Sequence, residues 1–486
     1  MALKFDFWRK KPVKAARKAR YAAGRRGPNG GGWVPMGGRS INDLIAAATP
    51  TVREKVRGLV RNFPYFARAN NVLAGYVVGE GIQFQSRVST PDGKFDTKSI
   101  QKIEDAASFW MDEADITGKL HYYELMELAK RQDGENGEFL LVKRTSSKKS
   151  RFIPYCLQMI EPDWLTSDSS AKIKGNLIEQ GIEYNAITGE PMFYHFTDPN
   201  GWGKPSIVSA ENVIHKFKTM RPGQLRGISP FVSGVLVAED LSEYMDTEID
   251  AAKMAAKYLG FVKTPDIVGR QQALDDADDA DDGKIEDLES AIMEYLRPGE
   301  DITLASNPRP GANFPPFVRL VLTMLSISTG VPYELISGDY QGMNYSVGKM
   351  IRVDFSQFLK PEWTRHIRHF CQPTMAPFFN YAVMSGKLDL SGFSNNPGHF
   401  MRTVWQPPGI ESIDPGRETK ARIDAIDYSL SSEIEDAKKR GRDYEDIVKE
   451  KAMAAEIRKT HGVEIQKNST ALANSPSAVE KQDDEK

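Results

Sequence analysis

Past position 41 the apolar residues of VRGLVRNF and ANNVLAGYVV recur three and four apart, which predicts helix; in IQFQSRV they alternate with polar residues and predict strand. The amphipathic stretch from Ser99 to Arg131 predicts further helix, and DGENG then turns the chain into FLLVKR, an apolar run of strand length. RFIPYCLQMI, LIEQGIEYN and MFYHFT add strand-like pieces punctuated by the turn signals TGEP and DPNGWGKP. Residues 41–226 therefore read as an α+β region.

The pattern changes at Ser229. In SPFVSGVLVAEDLSEYMDTEIDAAKMAAKYLG, Ser229 suits an N-cap, Pro230 the first helical position and Gly260 a stop, giving one helix of roughly 45 Å. A compact insert over 260–313 follows, with strand-like FVKTPDIV and ITLA flanking the acidic DDADDADDG and helical KIEDLESAIMEYL. PPFVRLVLTMLSISTGVPYELI predicts a second apolar helix ending near Gly330. Its Val318, Leu322 and Leu325 are expected to be exposed on a lone chain and to need neighbours. SGDYQGMNYSVGKMIRVDF then places glycines and an asparagine directly before a long helix, in which Pro361 and Pro373 each remove a helical N–H, so a kink or break is expected. A late helical unit spans 411–465, and the polar tail 466–486 reads as disordered. No internal repeat is evident.

Composition narrows the class. With 486 residues the chain can form more than one domain, and 40% apolar with 27% charged residues is ordinary for a globular protein. No apolar run is long enough to span a bilayer, so no membrane partner is expected. Cys156 and Cys371 stand alone, without CxxC or clustered His and Cys, which argues against a disulfide framework or structural zinc; synthesis in a reducing, intracellular compartment is expected. The formal charge is −2, but the first 26 residues hold ten Lys or Arg and one Asp. Arg9, Lys10, Lys11, Lys14, Arg17, Lys18, Arg20, Arg25 and Arg26 make residues 1–40 either a solvated tail or an electrostatic arm for nucleic acid or a partner.

Catalytic chemistry is hard to find. There is no GxxxxGK[ST] phosphate cradle, so the chain is not expected to be a motor ATPase, and GYVVGEGI lacks the third glycine of a dinucleotide fingerprint. His366 and His369 have no acidic neighbours at ligand spacing and read as packed or solvated. Asp278 to Glu289 resembles a calcium loop, but Ala280 occupies a ligand position and no helix convincingly precedes it. A nuclease would need a rigid carboxylate pair for two metals, and an Asp/Ala alternation is a poor scaffold for one. No catalytic residue, metal or cofactor is assigned.

The order of the parts carries a resemblance. FARANNVLAGYVVGEGI, DGENGEFLL, LQMIEPDWL, QGIEYN, VIHKF with RPGQLRGISPF, LSEYMDTEIDAAK, GVPYELISGDYQGMNYSVGKM, and IDPGRETKARIDAI with KKRGRDYEDI together resemble the lambda-type portal proteins of tailed phages, from about Asn42 to Val463. One departure is the Val347, Gly348, Lys349 that follow NYS, where the family often has a small or polar residue and Arg. The resemblance implies a virion protein forming a dodecameric ring at one capsid vertex, through which double-stranded DNA is packaged and ejected. Implied partners are the terminase large subunit, the major capsid and scaffold proteins, and a head-completion or connector protein. It further implies an α/β wing (41–226), a first stem helix (227–259), a clip (260–313), a second stem helix (314–336), a tunnel loop (337–349), a long kinked helix returning to the wing (350–410) and a helical crown (411–465). A structural capsid or tail adaptor without a channel is the rival reading.

On this basis Gln341, Asn344, Tyr345, Ser346 and Lys349 are expected to contact DNA from the loop. From the residues alone, the rival is an ordinary capped helix start, with Asn344 or Ser346 as N-cap and Tyr345 packed inward. Glu239, Glu243, Asp246 and Asp250 recur at steps of four, three and four, so they share a helix face with Lys253 and Lys257. That face is either ordinary solvated surface or a channel wall. Asp275, Asp276, Asp278, Asp279, Asp281 and Asp282 are expected to meet partners from the clip.

Overall fold

A computed structural model of the chain describes residues 40–462 except 91, 93–94, 167–171, 174, 198–205, 258–259, 264–300, 305–310, 410–414 and 441. The basic arm, the acidic run of the insert with its calcium-like loop and predicted helix, and the polar tail lie outside these residues.

The first half mixes helix and sheet as the patterning predicts. Helices α1 (Ile41–Asn62) and α2 (Pro64–Val78) lead into strand β1 (Gln83–Ser86). The stretch expected as one helix from Ser99 divides into α3 (Thr97–Asp112) and α4 (Tyr122–Asn136). Gly118 adopts a left-handed φ of 71° between them, and His121 restarts the helix by accepting the Tyr123 N–H at 3.1 Å, with Glu124 reaching back to the His121 N–H. Strands β2 (Glu138–Thr145), β3 (Tyr155–Ile160) and β9 (Val213–Phe217) form an antiparallel sheet in the order β3-β2-β9. Strands β4 (Lys172–Ile173), β5 (Asn176–Glu179), β6 (Ile182–Asn185), β7 (Pro191–Phe196) and β8 (Ser206–Ser209) make a second, meandering sheet. LIEQGIEYN is the hairpin β5–β6: Gln180 and Gly181 both take positive φ, 51° and 80°, the twist a two-residue turn requires.

The long helix α5 (Val235–Lys257) starts later than the cap residues suggest. Ser229 does accept the Phe231 N–H at 3.2 Å, but its hydroxyl also donates to Gly134 O at 2.6 Å, and a 3-10 turn over Val232–Gly234 intervenes. Strands β10 (Gly260–Lys263) and β11 (Asp301–Leu304) pair antiparallel, joining the two ends of the insert. Helices α6 (Phe314–Thr329), α7 (Tyr333–Ser337) and α8 (Tyr345–His366) follow. Pro361 sits inside α8, whereas the interruption near Pro373 is a π-helical turn, Ile367–Cys371, before α9 (Gln372–Met384). Pro373 cannot return an N–H to the carbonyl four residues earlier; the chain widens, and the Gln372 N–H reaches five residues back to Ile367 O. A short α10 (Pro397–Phe400), strand β12 (Thr403–Gln406, paired with β1) and helices α11 (Pro415–Asp427), α12 (Glu433–Lys439) and α13 (Tyr444–His461) complete the described chain.

The main core lies where α3, α4, β3 and α9 meet. Trp110 stacks on Tyr155 with ring centroids 5.4 Å apart and donates Nε1–H to Tyr155 O at 2.8 Å. The Tyr155 hydroxyl in turn donates to Thr374 O at 2.9 Å, and Tyr122 meets the Thr374 hydroxyl at 2.7 Å. Burial pushes both phenols well above their ordinary pKa, so they stay neutral and serve as polar ends of an otherwise apolar packing. A smaller core of Leu140, Val142, Ile160, Ile182, Tyr194 and Phe196 fills the space between the two sheets.

Candidate functional site

The loop between α7 and α8 is built by backbone conformation. Gly330 ends α6 with φ 75°, and a Cβ there would lie 2.4 Å from the Phe358 ring, so the end of α6 and the flank of α8 are held in contact. Past α7, Asp339 organises the turn. Its Oδ1 accepts the Gln341 N–H at 3.0 Å, its Oδ2 accepts the Tyr333 hydroxyl at 3.2 Å, and its own N–H donates to Ser337 Oγ at 3.1 Å.

Asn344 is the N-cap of α8, its Oδ1 accepting the Val347 N–H at 2.9 Å. The Asn344 side-chain oxygen is therefore occupied within the chain. Tyr345 is not packed inward but 42% exposed. Gln341, Ser346 and Lys349 are exposed beside it. Tyr340, which the sequence reading did not select, is exposed at the loop tip, as are Met350 and Val353 one turn further along α8.

The acidic residues of α5 do share one side of the helix. That side faces α1, and with Lys55, Leu59, Asn62 and Phe63 of that region it lines an open groove. Its charge is partly compensated: Lys55 Nζ lies 2.7 Å from Glu239, and Lys253 Nζ lies 3.0 Å from Asp250. Glu243 and Asp246 are exposed, with no ion pair to them among the described residues. The Lys257 side chain falls outside the described residues, as do Asp275, Asp276, Asp278, Asp279, Asp281, Asp282 and the arm from Arg9 to Arg26.

One expectation for the second long helix is overturned. Leu322 and Leu325 are buried against α5, 3% and 1% exposed, and Val318 is partly buried in the same core. The apolar side chains left exposed are Leu320, Met324 and Ile327, together with Phe317, whose ring is partly covered by Tyr244 of α5; the four are spaced three, four and three apart on one face of α6. The helix is apolar nearly all round, so composition alone did not show which side α5 covers.

Two buried charge clusters also escaped the sequence reading, since their members lie far apart along the chain. Glu138, fully buried, accepts from Arg53 at 2.9 Å, Arg226 at 2.6 Å and the Gly227 N–H at 2.7 Å, with His215 Nε2 at 3.0 Å. Burial alone would raise its pKa; Arg226 and the His215 hydrogen bond outweigh that and hold it well below the usual carboxylate range. In the second cluster, Lys130 of α4 bridges Asp133 at 2.8 Å and Glu362 of α8 at 2.9 Å, and Arg365 also binds Glu362. His366 alongside is buried, and its Nε2 lies 3.2 Å from Met126 O; desolvation first, then the Lys130 charge, lowers its pKa to about 3. His366 thus belongs to packing, while His369 is half-buried, its pKa lowered to about 4 chiefly by desolvation. Among the described residues no group of three or more His, Cys, Asp and Glu is placed to hold a metal.

The model of the family described as phage portal protein, lambda family, matches residues 26–361. A probable portal protein of Halomonas phage phiHAP-1 is 24% identical over 413 residues, spanning 82% of this chain and 78% of the relative. The portal protein of Escherichia phage N15 is 22% identical over 91% of each chain, and portal protein B of Escherichia phage lambda is 21% identical over 83% of this chain and 82% of its own. Among solved structures, the neck of an empty gene transfer agent particle, computed with C6 symmetry, covers 81% of this chain and 94% of its own, at 13% identity and a TM-score of 0.48. The neck of the native particle, computed with C12 symmetry, covers 81% and 96% at 14% identity and a TM-score of 0.45.

Proposed function

The chain belongs to the lambda family of phage portal proteins, and from that premise we propose that it assembles into a dodecameric ring at one capsid vertex and forms the channel for double-stranded DNA. The family is structural rather than enzymatic, which sets aside a packaging nuclease and fits the absence of any assigned catalytic residue. Its place is the virion of a bacteriophage.

The observation that carries the ring is the Phe317, Leu320, Met324, Ile327 face of α6. Each such side chain is worth about 1.5–3 kcal/mol when fully buried, and a second copy of the same chain can cover it through a head-to-tail contact that closes on itself. In this reading α5 and α6 form the stem, and the β10–β11 pair leads into a clip outside the capsid that docks the terminase large subunit and later a head-completion protein. Helices α11 to α13 form the crown, with capsid and scaffold proteins meeting the wing. The loop from Ser337 to Lys349 touches DNA through Gln341, Tyr345, Ser346 and Lys349. Such polar and aromatic contacts to backbone carry no sequence information, which suits a moving duplex. Glu243 and Asp246 add negative charge beside the path, so DNA slides rather than sticks, whereas a basic wall would trap it by counterion release. The arm from Arg9 to Arg26 is a salt-sensitive contact for DNA or assembly partners.

Negative-stain imaging of the purified protein tests this directly. Rings with a central hole are expected; closed particles without a hole would favour a capsid or tail adaptor that conducts no DNA, and a monomer at all concentrations would overturn the ring.

A further inference from the structure

The three C-terminal helices bury almost nothing apolar of their own. Among the described residues from 415 to 462, Ala437 is the one buried apolar side chain, while Ile423, Tyr428, Leu430 and Met453 are exposed. Helices of 13, 7 and 18 residues without a core are not held in place by propensity. Their position therefore depends on polar contacts with the rest of the molecule.

One such contact stands out by its construction. Arg87, just past β1, donates from Nη2 to Asp443 Oδ2 at 3.0 Å and to Gln85 Oε1 at 2.9 Å, and its guanidinium lies 5.3 Å over the Phe95 ring. Gln85 Oε1 also accepts from Gln406 Nε2 of β12 at 2.8 Å, so the arginine is braced by the β1–β12 ribbon. Asp443 has two separate duties: Oδ2 takes Arg87, while Oδ1 caps α13 by accepting the Glu445 N–H at 2.7 Å. Close by in sequence from β12, Gly409 lies so near the Arg440 backbone that a Cβ would come within 2.6 Å of it. The ribbon itself is under-satisfied. Ser86 Oγ, Trp405 Nε1 and Gln406 Oε1 are buried without a hydrogen-bond partner, half of the six such atoms among the described residues. A ribbon that carries such groups loses less by rearranging than a fully bonded one.

We propose that Arg87 and Asp443 form a releasable clasp, through which the β1–β12 ribbon holds the C-terminal helical unit against the body of the protein. The pair is shielded enough to matter, with side chains 20% and 10% exposed, yet open enough for salt to weaken it. Release would free α12 and α13 while the aromatic core stayed intact. The clasp requires only the fold, so it stands or falls independently of the DNA channel.

Hydrogen exchange on the full-length protein, read peptide by peptide, tests it with Arg87→Ala, Asp443→Asn and the double variant. Asn is as good an N-cap as Asp, so Asp443→Asn removes the charge and leaves the cap. Each single variant should raise exchange in α12 and α13 by about five-fold, as expected of an ion pair near 1 kcal/mol, with α4 and β2 unchanged. The double variant should be no faster than either single one, and about 0.5 M salt, roughly three times physiological ionic strength, should narrow the gap to wild type. Unchanged exchange in α12 and α13, effects that add in the double variant, or equal acceleration in α4 and β2 would each overturn the clasp.

Discussion

The carboxylate of Glu138 and the guanidinium of Arg226 meet at 2.6 Å with the glutamate completely shielded from water. They join the start of β2 to the segment that enters α5, and the approach is close: Gly227 and Gly137 touch backbone to backbone, and a Cβ on Gly227 would lie 2.1 Å from Gly137 O. This junction sets where α5 leaves the α/β region, so the direction of α5 rests on a buried ion cluster.

Glu138→Gln should therefore be severe. It keeps the shape, leaves Arg226 buried without a counter-charge and takes from Arg53 one of its two, the other being Asp163 at 2.6 Å, a loss of roughly 3–5 kcal/mol. Urea unfolding would measure it, and a loss below about 1 kcal/mol would contradict the shielded geometry.

Acid should weaken the joint between α4 and α8. His366 has a folded pKa of about 3 against an ordinary 6.5, so the unfolded chain binds its proton first, and stability falls as pH drops from about 6.5 towards 3. Asp133, lowered to about 2 against burial by Lys130 and Arg365, adds a further loss below its ordinary 3.8. His366→Gln, which can still donate to Met126 O, should make the stability slope between pH 6 and 4 shallower by about 1.4 kcal/mol per pH unit, one proton's worth. An unchanged slope across denaturant melts at several pH values would show that His366 does not titrate there.

Leu320→Lys combined with Met324→Lys should leave the protomer folded, since both side chains are already exposed. Light scattering should then report a monomer where the wild type reports a large assembly. Rings of normal mass would move the interface off this face of α6.

Converting Glu243 and Asp246 to Lys should leave assembly intact and slow DNA passage. The defect should be largest at low ionic strength, where attraction to phosphate is least screened. Packaged DNA length and translocation rate across salt concentrations give the readout, and normal packaging at low salt would reduce the acidic side of α5 to ordinary solvated surface.

Much of this molecule was legible along the chain, because helices, strands and turns obey short-range periodicity. VRGLVRNF and ANNVLAGYVV are the α1 and α2 helices, FLLVKR is β2, the glycine-rich stretch from Ser337 is a loop, and Asn344 caps the helix behind it. The ordered segments also carried the family resemblance, which the lambda-family match supports. What the sequence could not decide was which face meets which. Leu322 and Leu320 are the same residue type two positions apart, yet one is buried against α5 and the other is bare, since only the crossing of two helices selects the covered side. Glu239 looked like its acidic neighbours until Lys55, 184 residues away, was found beside it. Glu138 with Arg53 and Arg226, Lys130 with Glu362, and Arg87 with Asp443 likewise depend on partners brought together by packing alone. Periodicity is a property of a few consecutive residues, whereas the compensation of a buried or shielded charge is a property of the folded chain.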